Sequence, residues 1–104
     1  MYDLENNWKV YVHKTPSGKQ YFGITKSNNL NQRWANGLGY RTQTVFFRAI
    51  IKYGWDNIEH SVLYENLTLE EAKEKEIYLI EKYHTDVNKY GHEAMGYNMT
   101  KRRR

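Results

Sequence analysis

Between Trp8 and Lys14 apolar and polar residues alternate, so an extended chain carries Trp8, Val10 and Val12 on one side and Lys9, Tyr11 and His13 on the other. A second alternating run spans Gln20 to Thr25, with Phe22 and Ile24 apolar. Pro16-Ser17-Gly18 lies between them, with proline suited to the first turn position and glycine to the left-handed one. The pattern predicts a β-hairpin closed by a three-residue loop with a bulge. That loop sets Thr15 opposite Lys19, His13 opposite Tyr21 and Tyr11 opposite Gly23. Tyr11 and Tyr21 then become diagonal neighbours on the polar face, with open space at Gly23. A four-residue loop would send the two tyrosines to opposite faces.

Further along, the period changes. Asn28 or Asn29 caps a short helix carrying Leu30, Arg33 and Trp34 on one face and stopping near Gly37. Gly37-Leu38-Gly39-Tyr40 reads as a loop. A second helix runs from Thr44 to Tyr53, with Phe46, Ala49, Ile50 and Tyr53 at helical spacing and Gly54 as its stop. Residues 57–65 read as a third strand, with Ile58, Val62 and Tyr64 as its apolar contributors. Thr68 and Glu71 form a capping box opening a third helix that reaches about His84. Residues 85–100 are expected to be irregular. Three strands and three helices describe an α+β chain.

A length of 104 residues suits one domain, read as residues 1–100 with a basic tail at 101–104. With 39% hydrophobic and 27% charged residues the composition is that of a globular protein, not a disordered one. Cysteine is absent, which excludes a disulfide framework, a thiolate metal site and a thiol nucleophile. No apolar stretch approaches the roughly 18 residues of a membrane span, and the N-terminus lacks a signal-peptide layout. An intracellular, cytoplasmic protein is the expectation.

Charge adds an asymmetry. Residues 1–54 hold eight Lys/Arg against Asp3 and Glu5, whereas residues 55–100 hold four Lys against ten Asp/Glu. Either a phosphate-binding surface stands beside acidic groups, or the acidic half is a solvated helix face. Within the basic half, Lys9, Lys14, Lys26, Arg41 and Arg48 are the candidate phosphate-backbone contacts. The Lys101–Arg104 tail would add non-specific phosphate binding.

Two residues break their local pattern. At about 100° per residue, Leu69, Ala72, Leu79, Ile80 and Tyr83 all fall within about 60° of Glu76. A carboxylate at the centre of an apolar stripe is costly unless paired or metal-bound. It is therefore a partner for Arg33 or a lysine, or else a metal ligand or general acid/base. Arg33 lies between Leu30 and Trp34 on the face its helix should turn inward. It either snorkels past apolar neighbours or clamps a phosphodiester.

Lys9-Val10-Tyr11, followed ten residues later by Tyr21-Phe22-Gly23, resembles the paired signature of the GIY-YIG nuclease family. The resemblance continues through Arg33-Trp34, Phe47-Arg48-Ala49-Ile50 to Tyr53-Gly54-Trp55-Asp56, Glu76 and Gly96-Tyr97-Asn98, and so covers about residues 8–100. Lys9-Val10 stands where the family has Gly-Ile, and Phe22 replaces the central Ile, leaving both phenols intact. The chain looks like the small stand-alone or N-terminal nuclease modules of mobile elements and phages. It implies a small three-stranded antiparallel sheet flanked by about three helices. It also implies DNA phosphodiester hydrolysis around a single Mg²⁺ or Mn²⁺, with no small-molecule cofactor. Carried over by position, Glu76 would ligate the metal and Tyr11 would orient or deprotonate the attacking water. Tyr21 would position the phosphate or that water, Arg33 would stabilise its charge, and Asn98 would support the site by hydrogen bonds. Tyr40 is the candidate for the extra His or Tyr that many relatives carry after the arginine helix.

His13 sits on the tyrosine face and is a candidate accessory residue. The four histidines form no zinc-like spacing. Two other readings compete with a DNA endonuclease. One is a non-catalytic nucleic-acid-binding module using the basic first half. The other is a protein-interaction domain in which Glu76 and Arg33 form a buried pair. Double-strand cleavage would need a homodimer or a second nick.

Overall fold

The computed structural model describes residues 7–99. Strands β1 (Trp8–Lys14) and β2 (Gln20–Thr25) pair antiparallel with Lys14 opposite Gln20, His13 opposite Tyr21 and Tyr11 opposite Gly23. The Thr15 amide donates to Lys19 O at 3.0 Å, and Gly18 takes φ +92°, so the three-residue loop closes as its residues dictate. Helix α1 (Leu30–Trp34) is capped by Asn29, whose side chain accepts from the Gln32 amide at 3.0 Å. It stops before Gly37 because Ala35, Asn36 and Gly37 all adopt positive φ, and residues 35–40 coil irregularly.

Helix α2 (Thr44–Tyr53) occupies the expected residues and ends at Gly54. Strand β3 (Glu59–Leu67) lies two residues later than the expected 57–65 and pairs antiparallel with β1, giving the order β2-β1-β3. Helix α3 (Leu69–Tyr83) opens on the reciprocal capping box of Thr68 and Glu71. The stretch expected to be irregular contains a one-turn helix, α4 (Val87–Tyr90), and two single bridges, Gln20 to Gly96 and Asp86 to Asn98. The described residues are therefore α+β, with a three-stranded antiparallel sheet and four helices.

Both faces of the β1–β2 hairpin are covered. On one, Val10, Val12 and Phe22 pack with Ala72, Leu79 and Ile80 of α3. On the other, Tyr11 packs with Trp34, Tyr40, Phe46, Ala49, Ile50, Ile58 and Tyr97. The face that alternation marks as polar is thus a second, aromatic core, with Tyr11 2% and His13 0% exposed. Tyrosine and histidine enter a core once their polar atoms find partners. The coil after α1 and strand β3 supply them, through Tyr40 and His60.

The third strand corrects the opposite expectation. Val62 and Tyr64 are 37% and 40% exposed, and only Ile58, just before the strand, joins a core. Helix α3 lies mainly over β2 and β1, which leaves this edge strand uncovered. Tyr83 also departs from the expected stripe, being exposed while its ring stacks on Phe22. No helix among the described residues is long and apolar enough to cross a membrane.

Candidate active site

The hairpin brings Tyr11 and Tyr21 to one face, and the Tyr11 ring leans across β2 onto Gly23. A methyl group at Gly23 would overlap the Tyr11 hydroxyl and the ring carbon that bears it, so this close approach needs glycine. Tyr21, half-buried, stacks on Phe46 of α2 at 4.6 Å between ring centres. Tyr40 enters from the coil after α1 and donates a hydrogen bond to the Tyr11 oxygen at 3.1 Å. Trp34 packs edge-on against Tyr11 at 5.4 Å. Its Nε1, buried and without a hydrogen-bond partner, lies where its N–H favours the ionised form of Tyr11.

Burial dominates the phenol electrostatics and raises Tyr11, Tyr21 and Tyr40 above the usual tyrosine value. The Arg33 charge opposes this at all three. Arg33 does not turn inward: its side chain is exposed, while its neighbour Trp34 fills the core. A five-residue helix has room to bury one side, and the indole takes it. The guanidinium is thereby left free for solvent or an anion while still acting on the phenols.

Glu76 is half-buried in the middle of α3, and desolvation pushes its carboxyl up to about 7. Its charge also raises Tyr11 and Tyr21. Among the described residues it has no hydrogen bond or ion pair, so the pairing with Arg33 or a lysine, one of the two readings of this position, does not form there; the ion pair present joins Lys89 and Glu81. Among those residues no group of three or more His, Asp or Glu side chains is gathered to enclose a metal. A lone desolvated carboxylate fits a hard cation such as Mg²⁺, which keeps several waters and takes its remaining ligands from a phosphate.

Asn98, 5% exposed, faces the free edge of β2. Its Oδ1 accepts from the Phe22 amide at 3.0 Å and from the Thr85 hydroxyl at 2.8 Å, and its Nδ2 donates to Phe22 O at 2.8 Å. The side-chain amide thus imitates a neighbouring strand and fixes the backbone between Tyr21 and Gly23. Thr85, fully buried, was not singled out by the sequence, because a threonine in an irregular stretch carries no pattern.

His13 does not face outward. Its Nε2 lies 2.8 Å from the Tyr40 hydroxyl and its Nδ1 lies 2.8 Å from Nδ1 of His60, so it is sealed from substrate. His60, 47 residues away in sequence, gave no signal there. Among the basic candidates, Lys14, Lys26, Arg41 and Arg48 are exposed, whereas Lys9 is half-buried and donates to Ser27 O at 3.3 Å. Arg48 shares an open depression of about 240 Å³ with Lys19 and Lys52, two lysines not picked out beforehand. The tail at 101–104 lies outside the described residues.

Comparison of the chain with protein-family models, curated proteins and solved structures finds no significant match.

Proposed function

We propose that this chain is a metal-dependent DNA endonuclease of the GIY-YIG type. The observation that supports it best is Glu76, a desolvated carboxylate without a partner among the described residues, acting on the same two phenols as the exposed Arg33. A Mg²⁺ or Mn²⁺ held by Glu76 would supply Lewis-acid stabilisation of charge on the phosphate oxygens. In this reading Tyr11 takes the proton of the attacking water, helped by the Tyr40 hydrogen bond and the Arg33 charge. Arg33 offsets the charge that grows on the phosphate, in the manner of an electrostatic clamp. Tyr21 positions that phosphate, and Asn98 holds the strand that carries Tyr21. The depression lined by Lys19, Arg48 and Lys52 offers the DNA backbone a cationic contact.

A second reading is a DNA-binding module without catalysis, and one observation favours it. Tyr11 is 2% exposed, whereas a general base must meet its water. A supercoiled-plasmid assay with Mg²⁺ or Mn²⁺ against EDTA separates the two. Nicking that needs the metal and disappears in Glu76→Ala supports the endonuclease. DNA binding without nicking supports the module, and nicking that persists in Glu76→Ala removes Glu76 from the mechanism. One site cuts one strand at a time, so linear product would require a second copy or a second visit.

A further inference from the structure

A continuous run of hydrogen bonds leads from Tyr11 through the aromatic core. Tyr40 donates to Tyr11 at 3.1 Å, His13 Nε2 lies 2.8 Å from the Tyr40 oxygen, and His13 Nδ1 lies 2.8 Å from His60 Nδ1. At the far end His60 Nε2 lies 3.1 Å from the Trp55 carbonyl oxygen. His60 is half-buried and forms part of the wall of an open depression of about 510 Å³, together with Asn28, Asn31, Trp34 and Ser61. Two histidines joined nitrogen to nitrogen inside a core are not required by packing. A phenylalanine pair would fill the same space without polar atoms to satisfy.

With His13 kept neutral by its burial, the chain has two consistent proton arrangements. A carbonyl can only accept, so His60 Nε2 carries a proton in both. With Tyr40 donating to Tyr11, His13 Nε2–H donates to Tyr40 and His60 Nδ1–H donates to His13 Nδ1. His60 is then an imidazolium, and every donor points toward Tyr11, as a phenolate there requires. In the other arrangement each shared proton lies one place back. Tyr11 donates to Tyr40, Tyr40 to His13 Nε2, and His13 Nδ1–H to a neutral His60. The two differ by short proton shifts along bonds already formed.

We propose that Tyr11, Tyr40, His13 and His60 form a proton relay in which His60 receives the Tyr11 proton and holds it while the water is activated. The relay rests on the endonuclease reading above. The Tyr11 proton moves to Tyr40 as Tyr40's moves to His13 Nε2 and His13's Nδ1 proton moves to His60, leaving a phenolate and an imidazolium. Water then attacks phosphorus, an O–P bond forms, and the water's proton goes to Tyr11. The leaving P–O bond breaks and its oxygen takes a proton from solvent, while Tyr11 gives the water's proton to solvent on the substrate side and takes its own back from His60 along the same bonds. Protons therefore balance. Tyr40, His13 and His60 are positioning residues, acting on the reaction through Tyr11.

The charged and titratable groups acting on the chain are Tyr21, Arg33 and Glu76 at the Tyr11 end and Asp56 at the His60 end. Burial, with the neighbouring His60 charge, holds His13 down to about 3, so it conducts as a neutral ring and does not store the proton. His60 is also lowered by burial, but the Trp55 carbonyl and the Asp56 charge favour its cation.

The test is Mg²⁺-dependent plasmid nicking from pH 6 to pH 9 by the full chain and by Tyr40→Phe, His60→Ala and His60→Gln, with ¹⁵N-histidine NMR on the same samples. The relay predicts that all three variants lose roughly a hundredfold in kcat with KM for DNA unchanged. Added imidazole should restore His60→Ala, whose vacated position opens to solvent, and should not restore Tyr40→Phe. His60→Gln keeps a polar side chain but stores no proton, so it should fold and remain slow. Wild-type kcat and pH profile in folded His60→Ala or His60→Gln would overturn the relay. If the wild-type chain nicks nothing, the endonuclease reading fails, and NMR decides the relay alone. A shared Nδ1 proton, with His60 titration displaced by Tyr40→Phe, supports it; independent titrations unmoved by Tyr40→Phe overturn it.

Discussion

Glu76 makes a prediction that needs no substrate. Its carboxyl lies at about 7 in the folded chain against 4.5 in the ordinary state, because burial penalises its charge. The fold therefore binds this proton more tightly than the unfolded chain does. Its favourable contribution is full below about pH 4.5 and is lost as pH rises through about 7. At about 1.4 kcal/mol per pH unit, the rise from 4.5 to about 7 amounts to about 3 kcal/mol by pH 8. The histidines oppose this slope: His13 and His60 are held below their usual values, so they weaken the fold as pH falls below about 6.5. The comparison of wild type with Glu76→Gln isolates the carboxylate. Urea unfolding in EDTA, from pH 4.5 to pH 8.5, should show the wild type falling relative to the variant by about 3 kcal/mol. At pH 8, Mg²⁺ should raise the wild-type melting temperature and leave that of Glu76→Gln unchanged. Parallel curves for the two proteins would show that Glu76 is not desolvated, and the argument for a metal there would fall with it.

Two further predictions concern the groups that hold the site. Asn98→Ala strips partners from the Phe22 amide, the Phe22 carbonyl and the Thr85 hydroxyl, and should cost about 2–5 kcal/mol in urea unfolding. A loss below about 1 kcal/mol would mean that water replaces the side chain without penalty. Gly23→Ala places a methyl group on the Tyr11 phenol and should destabilise by about 1–3 kcal/mol in a thermal melt. An unchanged melting temperature would show that Tyr11 does not lie against this strand.

The local devices of the fold were legible in the sequence. Pro16 and Gly18 set the loop, and the loop set the register that brings Tyr11 opposite Gly23. The capping box at Thr68 and Glu71, and helix α2 from Thr44 to Tyr53, occupy the residues that propensity and spacing assign. These features depend on residues within a few positions of one another, so composition and order are enough. The placement of Glu76 toward the core was likewise readable from its helical neighbours. Its lack of a partner was not, because a pairing depends on which cation the rest of the chain brings near.

Alternation told which side chains share a face but could not tell what would cover it. The tyrosine face became a core because α1, α2 and the coil at 35–40 fold over it, carrying Trp34, Phe46 and Tyr40. The same period-two pattern in β3 led to no core, since that strand lies at the edge. Asn98 meets Phe22 across 76 residues and His13 meets His60 across 47, separations over which no sequence period operates. The turns, caps and register were determined by the sequence alone, because short-range sterics and hydrogen bonds specify them. Burial, exposure and the hydrogen-bonded run from Tyr11 to His60 were decided by tertiary structure, because each depends on which distant surface is left to cover the first.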